Sequence, residues 1–172
     1  MKLIHLIILV LVTEYATAGE FSIKFDATVK EDKTGEPISG LKILIIGSKG
    51  DTAYSQTTDN TGKFEFLITT LDVFQIHIGP TPNCKKKIIE LSTLNIPDKH
   101  LLSGYSFGGF KIFLLPNNLG IDLSFYDHNP ISKIYFSKKY KGFDIDSEYT
   151  KSIVPTFNDL DKELDKINYK KN

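Results

Sequence analysis

The sequence predicts an all-β sandwich of seven to eight strands, followed by a C-terminal extension and one amphipathic α-helix. Between residues 21 and 115, apolar and polar residues alternate in short runs, which is the period of a strand with one buried face. Turn-forming residues separate these runs at intervals of about ten residues, and no helical period intervenes. Short strands at that spacing are typical of a two-sheet sandwich.

The predicted strands follow in chain order. The first, FSIKFDATVK, places Phe21, Ile23 and Phe25 on one face. The second, LKILIIG, is nearly all apolar and is expected at the centre of its sheet, whereas the third, DTAYSQTT, is polar enough to face solvent on one side. The next four are KFEFLIT, DVFQIHIG, KKKIIELS and FKIFLL. The glycine-rich segment at residues 101–109, LLSGYSFGG, predicts a loop.

Three further segments flank the sandwich domain, which we assign to residues 19–115. Residues 116–154 mix aromatic and charged side chains and predict an extension packed on the sandwich, ending in a ribbon at FDIDSEYT. Beyond them, residues 155–170 predict an amphipathic helix with Pro155 near its start. Its apolar side chains, spaced by three and four, are Phe157, Leu160, Leu164 and Ile167.

The first 18 residues predict a secretory signal peptide. Lys2 precedes an apolar run, and Ala16-Thr17-Ala18 has the small residues of a cleavage site, so we expect cleavage after Ala18. The run is shorter than the roughly 20 apolar residues of a membrane span. The expected location is therefore the periplasm, the outer-membrane surface or the extracellular space, with no transmembrane span.

Composition excludes several classes of function. The 172-residue chain has 21 basic and 21 acidic residues, and none of the basic residues is Arg. Nucleic acid is therefore not an expected partner, because phosphate binding needs a positive excess. The single cysteine, Cys84, cannot form an internal disulfide. We expect it to be a small, partly buried residue at a strand start, with a reactive thiol or an intermolecular bridge as the alternative.

The stretch TTDNTGKFEF predicts a structural turn. Asp59 is placed to accept hydrogen bonds from backbone N–H groups ahead of it, and Gly62 to adopt a positive φ. Calcium needs six to eight oxygen ligands, which this turn does not supply. A candidate metal site lies elsewhere, at Asp144, Asp146 and Glu148, whose carboxylates share one face if the chain is extended, although the EF-hand pattern is absent.

No catalytic residue or cofactor site is expected. The sequence has no G-x-S-x-G motif and no closely spaced pair of histidines. One alternative is a small hydrolase built from distant residues, which would be His77, His100, His128 and Asp127. Another is a glycan-binding surface made of aromatic side chains, which would be Tyr135, Phe136, Tyr140, Phe143 and Tyr149.

The stretch GEPISGLKILIIGSKGDTAYSQTTDNTGKFEFLI carries a family pattern at Gly35–Ile38, Gly40-Leu41, Thr58-Asp59 and Gly62–Phe64. It resembles the carboxypeptidase-regulatory-like domain, a transthyretin-like (prealbumin-like) sandwich. The later stretches KKKIIELSTLNIP and ISKIYFSKKYKGFDIDSEYT resemble exported Bacteroidetes proteins of unknown function that carry this domain. The resemblance implies a transthyretin-like sandwich without catalytic chemistry of its own. The hydroxyisourate hydrolases on this fold use a His/Arg constellation, which a chain without Arg lacks.

These observations predict a secreted, non-enzymatic binding or structural module of the bacterial cell envelope, whose partner is another envelope protein. An unpaired sheet edge could accept a strand of that partner, with Lys85, Lys86 and Lys87 guarding one edge against wrong partners. A Ca²⁺- or glycan-binding adhesin and the small hydrolase are the alternatives.

Overall fold

The computed structural model describes residues 21–32, 34–101, 104–117 and 122–169. The predicted signal peptide lies outside these ranges. Within them the chain is an all-β sandwich of two sheets, as the alternating pattern predicts. Nine strands are present: β1 (Ile23–Glu31), β2 (Lys42–Ile46), β3 (Thr52–Thr57), β4 (Lys63–Ile68), β5 (Val73–Ile78), β6 (Lys87–Ser92), β7 (Tyr105–Leu114), β8 (Ser132–Ser137) and β9 (Gly142–Ile145). Three helices accompany them: α1 (Asp98–Leu101), α2 (Ser124–His128) and α3 (Ser147–Tyr169).

The two sheets differ in width. The smaller has three strands in the order β4-β1-β7, and the larger has six in the order β3-β2-β5-β6-β8-β9. The pairs β1–β7 and β6–β8 are parallel, and the other neighbours are antiparallel. The larger sheet therefore extends beyond the smaller one.

The core lies between the sheets and follows the predicted alternation. In β1 the inward residues Ile23, Phe25, Ala27 and Val29 are at most 1% exposed. The inward positions of β4 and β5 are also buried, and they are Phe64, Phe66, Ile68, Phe74, Ile76 and Ile78. Each of these strands buries every second residue, because successive side chains of a strand point to opposite faces.

The C-terminal part of the chain contributes to the larger sheet. β8 pairs in parallel with β6, and β9 pairs with β8. Residues 132–145 therefore add two strands to the larger sheet. A second apolar cluster joins Leu115, Leu123, Tyr126 and Leu160, and so ties α2 and α3 to the sandwich. No helix among the described residues is long and apolar enough to span a membrane.

The C-terminal helix begins at Ser147, eight residues before the predicted start at 155. Asp146 provides the cap: its Oδ1 accepts a hydrogen bond from the Tyr149 N–H at 2.9 Å, and its C=O accepts one from Thr150. Pro155 therefore lies within α3. Of the predicted apolar face, Leu160 is 9% exposed, and the other three side chains lie outside the described ones.

The loop predicted at residues 101–109 is wrong for its second half, because β7 begins at Tyr105. Phe107 pairs with Phe25, and Phe110 pairs with Ala27, so the register shifts by one residue. The extra residue is accommodated at Gly108 and Gly109, where the Gly109 N–H donates to Asp26 Oδ1 at 3.0 Å. This bulge keeps both phenylalanines on the inner side although they are three residues apart.

Candidate functional site

One side of the sandwich, formed by β3 and β4, is closed by side chains. The Gln56 Oε1 atom accepts a hydrogen bond from the Glu65 N–H at 3.1 Å, and the Tyr54 hydroxyl accepts one from the Thr69 N–H at 3.1 Å. The Tyr54 ring also lies 6.1 Å from the ring of Phe66. One backbone donor in β4 and one just beyond its end are thus satisfied by side chains of the neighbouring sheet, which disfavours pairing of this edge with another strand.

The stretch TTDNTGKFEF joins the two sheets on this side. Asp59 Oδ1 accepts hydrogen bonds from the Thr61 N–H, the Thr61 hydroxyl and the Lys63 N–H, at 2.8, 2.7 and 2.9 Å. These bonds, with that of the Thr61 hydroxyl the strongest, lower the pKa of Asp59. Gly62 has a φ of 74°, and a Cβ there would lie 2.4 Å from the C=O oxygen of Val29. All three acceptor contacts of Asp59 are local, as in an Asx-turn.

The opposite side of the sandwich is open. β7 ends the smaller sheet and pairs only with β1 among the described strands, while β9 ends the larger sheet. Between β7 and the larger sheet lies a cleft of 350 Å³. Its walls are mostly apolar and include Ile89, Phe110, Ile112, Ile131, Ile134 and Ile145. An apolar cleft of this volume beside a strand edge has the character of a ligand-binding site.

Beside the cleft, aromatic side chains from the first half of β7 pack against β9. The rings of Phe107 and Phe143 lie 4.8 Å apart, and the Tyr105 hydroxyl donates to the Lys141 C=O at 3.1 Å. At one end, Asp32 lines the cleft, and its N–H donates to the Leu114 C=O at 3.0 Å. The cleft therefore runs along the second half of β7 and ends in a charged region.

Lys87 is the partly buried charge at that end. Its Nζ lies 5.8 Å from the centre of the Tyr126 ring, and among the described residues it has no carboxylate within ion-pair distance. Burial lowers the pKa of Lys87, and the charge of Asp32 offsets part of that effect. Burial also raises the pKa of the Tyr126 hydroxyl, so the ring beside the ammonium stays neutral.

The prediction that Lys85, Lys86 and Lys87 guard a sheet edge is wrong. They lead into β6, which lies inside the larger sheet between β5 and β8. β8 comes from the C-terminal extension, and local patterning does not predict its pairing with β6. The three lysines instead have different surroundings. Lys85 forms an ion pair with Asp127 at 3.5 Å, the charge of Lys86 lowers the pKa of His77, and Lys87 lines the cleft.

The candidate metal residues occupy three kinds of position. Asp144 lies in β9 opposite Tyr135, Asp146 caps α3, and Glu148 lies in the first turn of that helix. The Glu148 carboxylate pairs with Lys151 Nζ at 2.7 Å. The chain is not extended across all three, so the shared face on which the Ca²⁺ prediction depended does not form. Over the residues that the structure describes, no three His, Cys, Asp or Glu side chains are grouped to hold a metal ion.

The residues of the hydrolase alternative are engaged with different neighbours. His77 lies on the outer face of β5, with Nε2 3.0 Å from Gln75 Oε1, and burial and the charge of Lys86 lower its pKa. The His100 ring packs 5.6 Å from Phe136, and Asp127 forms an ion pair with Lys85. His128 is exposed in the last turn of α2. None of these contacts joins two of the four side chains.

The aromatic side chains of the glycan alternative point in different directions. Phe136 is buried, and Phe143 packs 5.9 Å from it on the inner side. The Tyr149 hydroxyl donates to the Pro130 C=O, and the Lys133 ammonium lies 4.8 Å from the Tyr149 ring. Tyr135 and Tyr140 are 40% and 63% exposed. The five rings therefore do not share one surface.

Cys84 is buried, with 3% of its surface exposed, just before β6. Its N–H donates to the Thr81 hydroxyl at 2.8 Å, and it forms an isolated bridge with Pro116. It lies beside a more open groove of 520 Å³ that is lined by Pro80, Thr81 and Pro82. The expected role as a small buried residue agrees with this placement.

Comparison with known proteins adds solved structures of low similarity. No protein-family model matches the chain, and no curated protein matches it significantly. The TIE protein of Bacillus anthracis is 11% identical over 56% of this chain and 18% of its own length, with a TM-score of 0.44. The C-terminal domain of a shaft pilin from Lactobacillus rhamnosus GG is 13% identical over 56% of this chain and 98% of that domain, with a TM-score of 0.39.

A third similar structure belongs to an enzyme. The 3-chlorocatechol 1,2-dioxygenase of Rhodococcus opacus 1CP is 9% identical over 59% of this chain and 62% of its own, with a TM-score of 0.39. The chain thus spans less than two thirds of both the TIE protein and this dioxygenase. At such low scores we take the sandwich class from the two sheets of the chain itself. The resemblance to carboxypeptidase-regulatory-like domains stays a prediction.

Proposed function

We propose that the protein is a secreted, non-enzymatic binding module of the bacterial cell envelope that recognises a partner protein through β7. The observation that carries this proposal is the unpaired outer edge of β7 beside an apolar cleft. The sequence resemblance to carboxypeptidase-regulatory-like domains of exported Bacteroidetes proteins supports the same class of function.

An extended segment of the partner would add to β7 as the fourth strand of the smaller sheet. Such a strand would lie about 4.8 Å from β7, and its alternate side chains would point toward the larger sheet. There they would cover the cleft walls at Ile131 and Ile145, the second of which is 47% exposed. Main-chain hydrogen bonds would supply affinity, and the cleft would select the inward side chains.

β7 fits this role better than the other three sheet edges. It has ten residues, whereas β9 has only four. β4 is capped by Gln56 and Tyr54, and five of the six residues of β3 are exposed. Only β7 combines length, an uncapped edge and an adjoining apolar cleft among the described strands.

The test is a selection of displayed random peptides, each about 12 residues long and so able to span the ten-residue edge of β7, on the protein expressed from the full chain. The bound peptides are then located by backbone NMR, which maps the amide signals that shift on binding. We expect shifts concentrated in β7 and in the cleft walls of β6 and β8. Failure to select any peptide, or shifts confined to β3 and β4, would overturn the proposal.

A matched pair of variants sharpens this test. Ile145→Ser removes an apolar wall of the cleft and is expected to weaken binding about tenfold, since roughly half of an isoleucine side chain becomes buried on binding. Leu67→Ser alters a residue that is 56% exposed on β4, at the closed side, and is expected to leave affinity unchanged. Equal effects of the two substitutions would count against β7 as the binding edge.

A further inference from the structure

The charged end of the cleft holds Lys87 and Asp32. A third charged residue of the lining, Lys111, alternates with the buried Ile112, so its side chain lies on the outer face of β7. Lys87 is the partly buried one: its Nζ lies 5.8 Å from the centre of the Tyr126 ring, and it also interacts with the charge of Asp32. An ammonium group held in an apolar cleft favours an occupant that brings a negative charge, because desolvation strengthens the attraction.

We infer that the segment which adds to β7 carries an acidic side chain, Asp or Glu, that enters the cleft and pairs with Lys87. This inference rests on the proposed function and names the chemistry of the partner. The acidic residue belongs at an inward position beside Ile112 or Leu114, since Asp32 and Lys87 lie at that end of the cleft. At the other end, the rings of Phe107 and Phe143 pack 4.8 Å apart.

The recognised segment is therefore an extended peptide with apolar side chains at alternate positions and one carboxylate among them. The carboxylate accepts hydrogen bonds from the Lys87 ammonium, which donates up to three. A segment with Gln in that place keeps the shape but loses the charge. A segment with Lys there brings two positive charges together in the cleft.

The test repeats the peptide selection on three versions of the protein: wild type, Lys87→Met and Lys86→Met. Methionine keeps much of the length of the lysine side chain without its charge. Lys86 is the matched control, since its charge lowers the pKa of His77, which lies on the outer face of the larger sheet, away from the cleft. We expect one inward position to be enriched in Asp and Glu on wild type and on Lys86→Met, and not on Lys87→Met.

The decisive measurement compares a selected peptide with its Glu→Gln form. On wild type the replacement is expected to weaken binding by about tenfold to a hundredfold, as for hydrogen bonds to charged groups. On Lys87→Met the two peptides are expected to bind within about twofold of each other, since the charged partner is gone. Thermal unfolding of each variant checks that the fold is retained.

Three outcomes would overturn the inference. Peptides that bind at β7 without an acidic preference would refute it and leave the proposed function standing. If the acidic preference is lost with Lys111→Met and kept with Lys87→Met, then Lys111 and not Lys87 binds the carboxylate. A stable dimer that pairs β7 of two copies would make the occupant a second copy of the chain. If no peptide binds at β7, the proposed function itself fails.

Discussion

Substituting Gly62 by alanine is expected to destabilise the fold by about 2–5 kcal/mol, from two separable causes. Gly62 has a φ of 74°, which costs other L-residues about 1–2 kcal/mol. A Cβ there would also lie 2.4 Å from the Val29 C=O oxygen and 3.1 Å from Pro37 Cβ. That oxygen already accepts a hydrogen bond from the Ile38 N–H at 3.0 Å, so the backbone has to move to relieve the clash.

Gly35→Ala is the matched control for this prediction. Gly35 has nearly the same φ, 71°, but a Cβ at this position would have no atom within 4 Å. Only the backbone cost therefore applies, and the more restricted unfolded state of alanine offsets part of it, which leaves about 1 kcal/mol. The difference between the two substitutions isolates the close approach of the turn to β1.

The free energies of unfolding can be measured by urea denaturation followed by circular dichroism, with m-values compared to check that unfolding stays two-state. We expect Gly62→Ala to lower the midpoint clearly more than Gly35→Ala. If both variants lose the same stability, the contact with Val29 is not the reason for glycine at this position, and the turn is looser than its hydrogen bonds indicate.

Three other outcomes are expected. Hydrogen bonds from the Thr61 hydroxyl and nearby N–H groups lower the pKa of Asp59, so the stability that this carboxylate contributes is lost as pH falls through its folded-state pKa. Asp59→Asn should therefore reduce the fall in melting temperature at acidic pH. An unchanged fall would contradict this. Burial lowers the pKa of Lys87, so its charge costs stability at neutral pH and costs less as pH rises toward its unfolded value. Lys87→Met should therefore raise the melting temperature at neutral pH, with a smaller gain in alkaline buffer, and a lower melting temperature at both would refute the reasoning. Lys86→Met should raise the pKa of His77 in an NMR titration, yet leave it below its ordinary value because burial, the larger cause, remains; no change would show that the two groups do not interact.

Local patterning predicted the inner strands of the sandwich well, because their burial follows a period of two without interruption. β4 and β5 bury Phe64, Phe66, Phe74 and Ile76 as expected. The prediction failed where one residue breaks that period. The bulge at Gly108 and Gly109 shifts the alternation in the middle of β7, so the strand resembled a glycine-rich loop.

The candidate site was harder to predict because it depends on long-range pairing. The sequence marks Lys87 as the last of three consecutive lysines, which resembles a protected edge. The position of β6 inside its sheet follows from its parallel pairing with β8, which lies far along the chain at Ser132–Ser137. The cap at Asp146, by contrast, has a local signal, since Asp directly before Ser-Glu-Tyr is a favourable helix start.

A long unpaired strand edge is an aggregation hazard for any β-sandwich, and the charge in the cleft limits that hazard in this chain. An inward-pointing charge beside an edge disfavours pairing with strands that bring only apolar side chains, because it would be buried without a partner. Lys87 lies in that position, and Lys111 adds a second positive charge along β7. Pairing β7 with a copy of itself would bring the lysines of two chains to the same edge. The Lys87 ammonium, which costs stability in the free protein, would therefore favour an acidic segment and disfavour self-association. Specificity depends on the penalty against wrong partners as much as on affinity for the right one.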